Sequence, residues 1–285
     1  MTELGTELGK SLETTRQPPR ARGQVRLSLK PAPSERPGGG AIDQLRNAGS
    51  LKLVFPRPSG QAFEAVVVNT AGGVTGGDRF SLEAEAQSGT ALTLTTQAAE
   101  RAYRASGEVP GRISNQLRLA PGARLNWLPQ ETILFDGAHL ERRLTVELGA
   151  GAQFLMVEPL VFGRAAMGEV ITDARFFDRI EISRDGVPLW ADAVRLEGNL
   201  AAQMRRAALG REAGAMAALV YAAPDAAAYL DRLRALLPKT AGASLLREGL
   251  LAARFLADDS YTLRQSLIAA LRLLNPDQIP KPWML

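Results

Sequence analysis

Four stretches of this 285-residue chain follow one plan: an alternating strand, a small turn with a glycine, and a second strand. They read RFSLEAEAQSGTALTLTTQ, RISNQLRLAPGARLNWLPQ, RRLTVELGAGAQFLMVEPL and RIEISRDGVPLWADAVRL. Their turn glycines, Gly89, Gly122, Gly151 and Gly186, lie 33, 29 and 35 residues apart. Polar residues alternate with Leu, Ile, Val and Phe on both sides of each turn, the period-two pattern of a strand with one buried face. A strand-built repeat of roughly 20–50 residues favours stacked coils over one closed sandwich. No coil buries its apolar face alone, so neighbours share one long core. A sandwich with a hairpin every 8–12 residues or so is the competing arrangement.

The flanks differ from the repeats. Residues 1–22 are polar, with Gly, Thr and a Pro-Pro pair, and read as a flexible segment. Residues 31–40, PAPSERPGGG, form a breaker-rich loop. Short alternating runs at Val25–Leu29, Leu51–Phe55 and Phe63–Val68 read as further strands. After residue 199 the pattern changes. Gly214–Ala222 reads as a buried strand, and SLLREGLLAARFLADD as two strands across Glu248-Gly249. PDAAAYLDRLRALL reads as a helix begun by Pro224 and stopped by Pro238. SYTLRQSLIAALRLLN is a second amphipathic helix, with Leu263, Leu267, Ile268, Leu271 and Leu274 on one side. The expectation is a single domain over 23–285, with a β body at 23–200 and an α+β part at 201–285.

Composition removes several chemistries. The chain has no cysteine and one histidine, His139. Disulfides, cysteine-based zinc or iron–sulfur sites and a Cys nucleophile are excluded, as is a several-imidazole metal site within one chain. A Ser–His–Asp triad would need His139, and no serine sits in a G-x-S-x-G elbow. The net charge is +4, and arginines outnumber lysines 29 to 5. Those arginines are spread along the chain, which favours solvated faces over a nucleic-acid stripe. The first 22 residues lack an apolar core, so no signal peptide is read there. No run reaches the roughly 18 apolar residues of a membrane span. A soluble cytoplasmic protein is expected.

Asn69–Phe80, NTAGGVTGGDRF, is glycine-rich, but Asp78-Arg79 stands where a phosphate loop needs Lys and Ser/Thr, and strands follow rather than a helix. Residue types alone favour a strand–turn–strand there. TTQAAERAYR (Thr95–Arg104) and LPQETILFDGA (Leu128–Ala138) break the alternation, and Glu100, Glu131 and Asp136 are candidate acid–base groups of a carbohydrate-active β-solenoid enzyme. Few aromatic residues, 6%, argue against a sugar-stacking groove. Glu158 precedes a proline inside an apolar run and needs a partner, for which Arg164 is a candidate, or a wet channel. Asp192 shares its strand face with Trp190 and Val194, which makes it a second buried-carboxylate candidate or one half of a structural ion pair.

Taken together and in this order, NTAGGVTGGDRF, TTQAAERAYR, LPQETILFDGA, FGRAAMGE and GVPLWADAVRL resemble the urease accessory protein UreD family, also called UreH, over roughly residues 23–274. The resemblance implies a right-handed helical, solenoid-like stacked β structure, mainly β, with two α-helices in the C-terminal part. It implies a non-enzymatic chaperone that helps deliver nickel to the urease apoprotein through an internal polar tunnel. Its partners would be the urease apoprotein, UreF and, through UreF, UreG, with two copies in a hetero-oligomeric complex, and neither nucleic acid nor a membrane. Transient Ni2+ is implied, with no tightly bound cofactor. Carried over by motif, the nickel path falls on Asp78, Glu100, Glu158 and Asp192. The family motif positions are Gly76, Gly77, Gln97, Tyr103, Pro129, Gln130, Glu131, Gly163, Arg164, Gly168 and Glu169. The tail PKPWML departs from the usual ending. Carboxylate oxygens hold a borderline divalent ion weakly compared with imidazole or thiolate, which suits transit more than storage.

Overall fold

The computed structural model describes residues 19–32, 39–57, 60–275 and 277–284. The flexible segment expected at residues 1–22 therefore falls largely outside the described residues. Two sheets face each other, and helices cover the far side of the second. The first sheet runs in the order β14 (Val187–Gly198), β13 (Ala174–Arg184), β11 (His139–Leu148), β8 (Gly111–Leu119), β5 (Arg79–Ala86), β1 (Arg22–Lys30), β2 (Ala41–Gly49). The second runs β16 (Ala241–Arg247), β17 (Leu250–Ala257), β15 (Ala215–Ala222), β12 (Gln153–Phe162), β9 (Arg124–Leu128), β6 (Ala91–Thr96), β4 (Phe63–Asn69), β3 (Leu51–Val54). Two short strands, β7 (Glu100–Ala102) and β10 (Thr132–Leu134), join it beside β12.

The first three repeats are the expected stacked coils. In each, a strand of the first sheet turns at glycine into a strand of the second: β5 to β6, β8 to β9, β11 to β12. Equivalent strands of successive coils pair in parallel. The turns close with N–H to carbonyl bonds from Thr90 to Gln87, Ala123 to Ala120 and Ala152 to Gly149. Gly89, Gly122 and Gly151 sit at the third turn position with φ of 75°, 69° and 66°, the left-handed conformation such a turn requires.

The fourth repeat is different. β13 and β14 pair antiparallel within the first sheet, so Gly186 ends no coil. Asp185 and Gly186 both have positive φ, 50° and 77°, which makes the two-residue hairpin turn whose twist matches its strands. Strand alternation is the same in both arrangements, which is why the sequence pattern merges them.

One core lies between the sheets, built from Leu82, Leu117, Val146, Phe154 and Phe176 among others. A second lies between the second sheet and the helices α2 (Leu230–Leu236) and α3 (Ser260–Leu274). The predicted buried side of α3 holds, with Leu263, Leu267, Leu271 and Leu274 buried and Ile268 partly so. A short third helix, α1 (Leu200–Met204), was not expected; the Asn199 side chain caps it by accepting from the Ala202 N–H at 2.8 Å. β12 is central in its sheet and sandwiched between the two cores, so it reads as a near-continuous apolar run. Trp283, in the unusual tail, is buried and donates its Nε1–H to the Leu128 carbonyl at 2.9 Å. Among the described residues no helix is long and apolar enough to cross a membrane.

Candidate functional site

Strand alternation along β12 sends Met156, Glu158 and Leu160 toward the first sheet and Leu155, Val157 and Val161 toward the helices. Glu158 therefore enters the space between the sheets. Facing it from the first sheet are Arg142 on β11 and Asp178 on β13, which are direct register partners. Arg142 donates through Nε to Asp178 Oδ1 at 3.0 Å and through Nη2 to Oδ2 at 2.6 Å. Its Nη1 lies 2.6 Å from Glu158 Oε2 and donates to Thr132 Oγ1 at 3.1 Å. Trp127 Nε1–H donates to Glu158 Oε1 at 2.6 Å. Glu158 Oε2 has the charge contact with Arg142 but no aligned donor. The partner of Glu158 is thus Arg142; the sequence candidate Arg164 lies elsewhere and pairs with Glu169.

Two buried carboxylates share this one guanidinium. Burial pushes the Glu158 carboxyl above the ordinary carboxylate range; Arg142 opposes the rise and Asp178 adds to it. Glu158, Arg142, Trp127, Gln130 and Glu100 line one interior cavity of about 70 Å³. Glu100 also lines an adjoining surface cleft of about 180 Å³ with Asn69, Gly72, Gly73 and Gln97. The two spaces share the walls Leu51, Val67, Thr96 and Glu100. Glu100 accepts from Asn69 Nδ2 at both oxygens, 3.2 and 3.1 Å. Burial also raises its carboxyl above the ordinary value, against the Asn69 hydrogen bond and Arg101.

The cavity exists because two coils are broken at the same level. β6 stops at Thr96 and β7 resumes at Glu100; β9 stops at Leu128 and β10 resumes at Thr132. The breaks contain Gln97 and Pro129-Gln130-Glu131. Gln130 is buried, and its Oε1 accepts from both Arg264 Nη atoms on α3 at 2.7 and 2.6 Å. Glu131 Oε2 lies 3.6 Å from the same guanidinium.

The other candidates lie apart. Asp78 is buried, and its two oxygens accept from the Ala21 N–H at 2.7 Å and the Thr75 N–H at 2.9 Å, so it ties β1 to the glycine loop. Within that loop Gly73 lies under the Tyr103 ring, where a Cβ would come within 2.3 Å of it. Gly76 leaves 2.7 Å between such an atom and the Val109 carbonyl, and Gly77 has φ of 86°. Tyr103 O–H donates to the Gly72 carbonyl at 3.2 Å. Asp192 pairs with Arg254 across the two sheets. Arg164 and Glu169 close the turn between Gly163 and Gly168 with Nε to Oε2 at 2.9 Å, which holds the Glu169 carboxyl below its usual value. Asp136 accepts from Thr172 and Asp173 backbone N–H groups at 2.8 and 3.0 Å; these outweigh burial and keep its carboxyl low. Glu100, Glu131 and Asp136 are each bound to different neighbours. Among the described residues no three His, Cys, Asp or Glu side chains gather to hold a metal ion.

The sequence reading missed Arg142 and Asp178. The signal was present: Arg142 alternates with Leu140 and Leu144, and Asp178 with Phe176 and Ile180, each at an inward position.

A family profile described as UreD urease accessory protein matches residues 21–284, through the tail that departs from the usual ending. Among curated relatives, the urease accessory protein UreD of Ruegeria pomeroyi is 58% identical over 85% of this chain and 95% of its own length. That of Roseobacter denitrificans is 48% identical over 94% of this chain and 96% of its own. That of Azorhizobium caulinodans is 42% identical over 93% and 97%.

Proposed function

We infer the role of this chain from one premise: it belongs to the UreD family of urease accessory proteins, and it serves urease maturation. We propose that it does so without catalysis, as a cytoplasmic chaperone that passes nickel to the urease apoprotein. It works with UreF and, through UreF, with UreG, in a complex holding two copies.

The observation that supports a nickel path is the pair of adjoining spaces that share Glu100 as a wall. Glu100 stands at the boundary between a surface cleft and the interior cavity that contains Glu158. Carboxylate oxygens, without cysteine and away from the one histidine, bind a borderline divalent ion weakly enough to release it. An ion reaching Glu158 meets the Arg142 guanidinium in the same cavity, so passage requires Arg142 to rest on Asp178 alone. Asp78 and Asp192 contribute from outside this cavity, through the fold around it.

The test is Glu100→Gln combined with Glu158→Gln, expressed with urease and its other accessory proteins. The expected result is normal co-purification with urease apoprotein and UreF, and a several-fold loss of urease activation at limiting nickel. Unchanged activation would remove the conduit. Lost co-purification would mean these glutamates shape the binding surface instead.

A further inference from the structure

The outer face of the first sheet carries like charges side by side. Parallel pairing sets Arg22 beside Arg79 and Arg79 beside Arg112. A second row sets Arg143 beside Arg179. All five are exposed. Neighbouring strands lie about 4.8 Å apart, and like charges directly opposite each other destabilise a sheet. Arg112 is relieved by Glu141 at 2.8 Å, and Arg143 and Arg179 share Glu181 at 2.9 and 2.7 Å. Arg22 and Arg79 meet no carboxylate among the described residues.

In line with the first row, beyond Glu141, stands Phe177, 39% exposed on β13. It lines two grooves of this face, of about 320 and about 380 Å³. Its register partners are Glu141 and Arg195, and Arg175 and Arg179 flank it on its own strand; an exposed aromatic ring among arginines is the composition of an interaction hot spot. The guanidinium fork matches a carboxylate in two parallel hydrogen bonds.

We propose that this face docks an acidic protein segment, with its carboxylates on the arginine rows and an apolar side chain against Phe177. Charge complementarity supports this occupant. The adjacent Arg22 and Arg79, with no carboxylate of their own among the described residues, weaken the free sheet and are relieved by a partner of opposite sign. A nucleic acid fits less well, because Glu141 and Glu181 interrupt the positive track that a continuous phosphate backbone would follow. The proposal does not depend on the nickel path.

The probe is a fluorescent glutamate-rich peptide with one central phenylalanine, titrated into the full chain. Its glutamine counterpart and a single-stranded DNA of equal charge serve as comparisons. The acidic peptide is expected to bind at least tenfold more tightly than either. Arg79→Gln with Arg112→Gln should weaken that binding tenfold or more, while the melting temperature stays level or rises. Phe177→Ser should weaken it several-fold even at high salt. Unchanged peptide affinity in the arginine variant would overturn the proposal, as would tighter binding of the DNA. A lower melting temperature in that variant would also overturn it, because the arginines would then serve the fold.

Discussion

Arg142 is buried with more negative charge than it can neutralise: Asp178 takes both ends of its fork, and Glu158 receives what remains. Removing one member of a buried ionic group leaves the others uncompensated, which costs about 3–5 kcal/mol. Arg142→Met should lose that much in urea denaturation, and adding Asp178→Asn should restore part of it. Glu158 and Glu100 also set a pH dependence. Both carboxyls are raised by burial, so the folded chain binds their protons more tightly than the unfolded chain does. Their contribution to stability is complete below the unfolded carboxylate value and is lost as pH rises through the folded one. Glu158→Gln should therefore flatten the fall in melting temperature between pH 5 and pH 8. An equally steep fall in the variant would place the effect elsewhere. Glu158 was legible in the sequence because a carboxylate interrupts an apolar run. Arg142 was not, because in a chain with 29 arginines one more on an alternating strand looks like a surface residue. Only the pairing of β11 with β13 shows that it and Asp178 meet.

Strands and helices were legible where one face is buried and one is wet. β1, β3, β4 and α3 follow their predicted runs closely, whereas the run begun by Pro224 forms a 3-10 turn at Ala226–Tyr229 and becomes α-helical only at Leu230–Leu236. β2 went unread because AIDQLRNAG is exposed along most of its length and has no apolar period to reveal it. The hairpin of β13 and β14 was merged with the coils because alternation is blind to which sheet a strand joins. The tail shows the opposite case, in which an atypical segment is part of the core. Trp283 packs against Arg264 with the guanidinium 5.2 Å from its ring centroid, and Arg264 holds Gln130 at the broken coil. Truncating a buried tryptophan costs about 3–5 kcal/mol. Trp283→Ala should show that loss in thermal unfolding, with reduced urease activation at temperatures where the fold survives. A stable variant would mean that the tail merely rests on the surface.

At the scale of the molecule, the stacked coils place the interior cavity where no single motif could. Asn69, Glu100, Trp127, Arg142, Glu158 and Asp178 come from six strands, and only the coil stacking gathers them. The burial of β12 on both faces has a consequence in time. During synthesis each coil can dock on the one before it. β12, however, waits for β15, which follows the whole β13–β14 hairpin and α1, and for α3 near the end of the chain. Until then the face holding Leu155, Val157 and Val161 is wet and open to other chains. A chain stopped after Gly198 should partition into the insoluble fraction, whereas the full chain should not. The last eighty-odd residues thus act as an internal cover for a nascent intermediate, and the interval before they emerge is when this chain most needs a holding partner of its own.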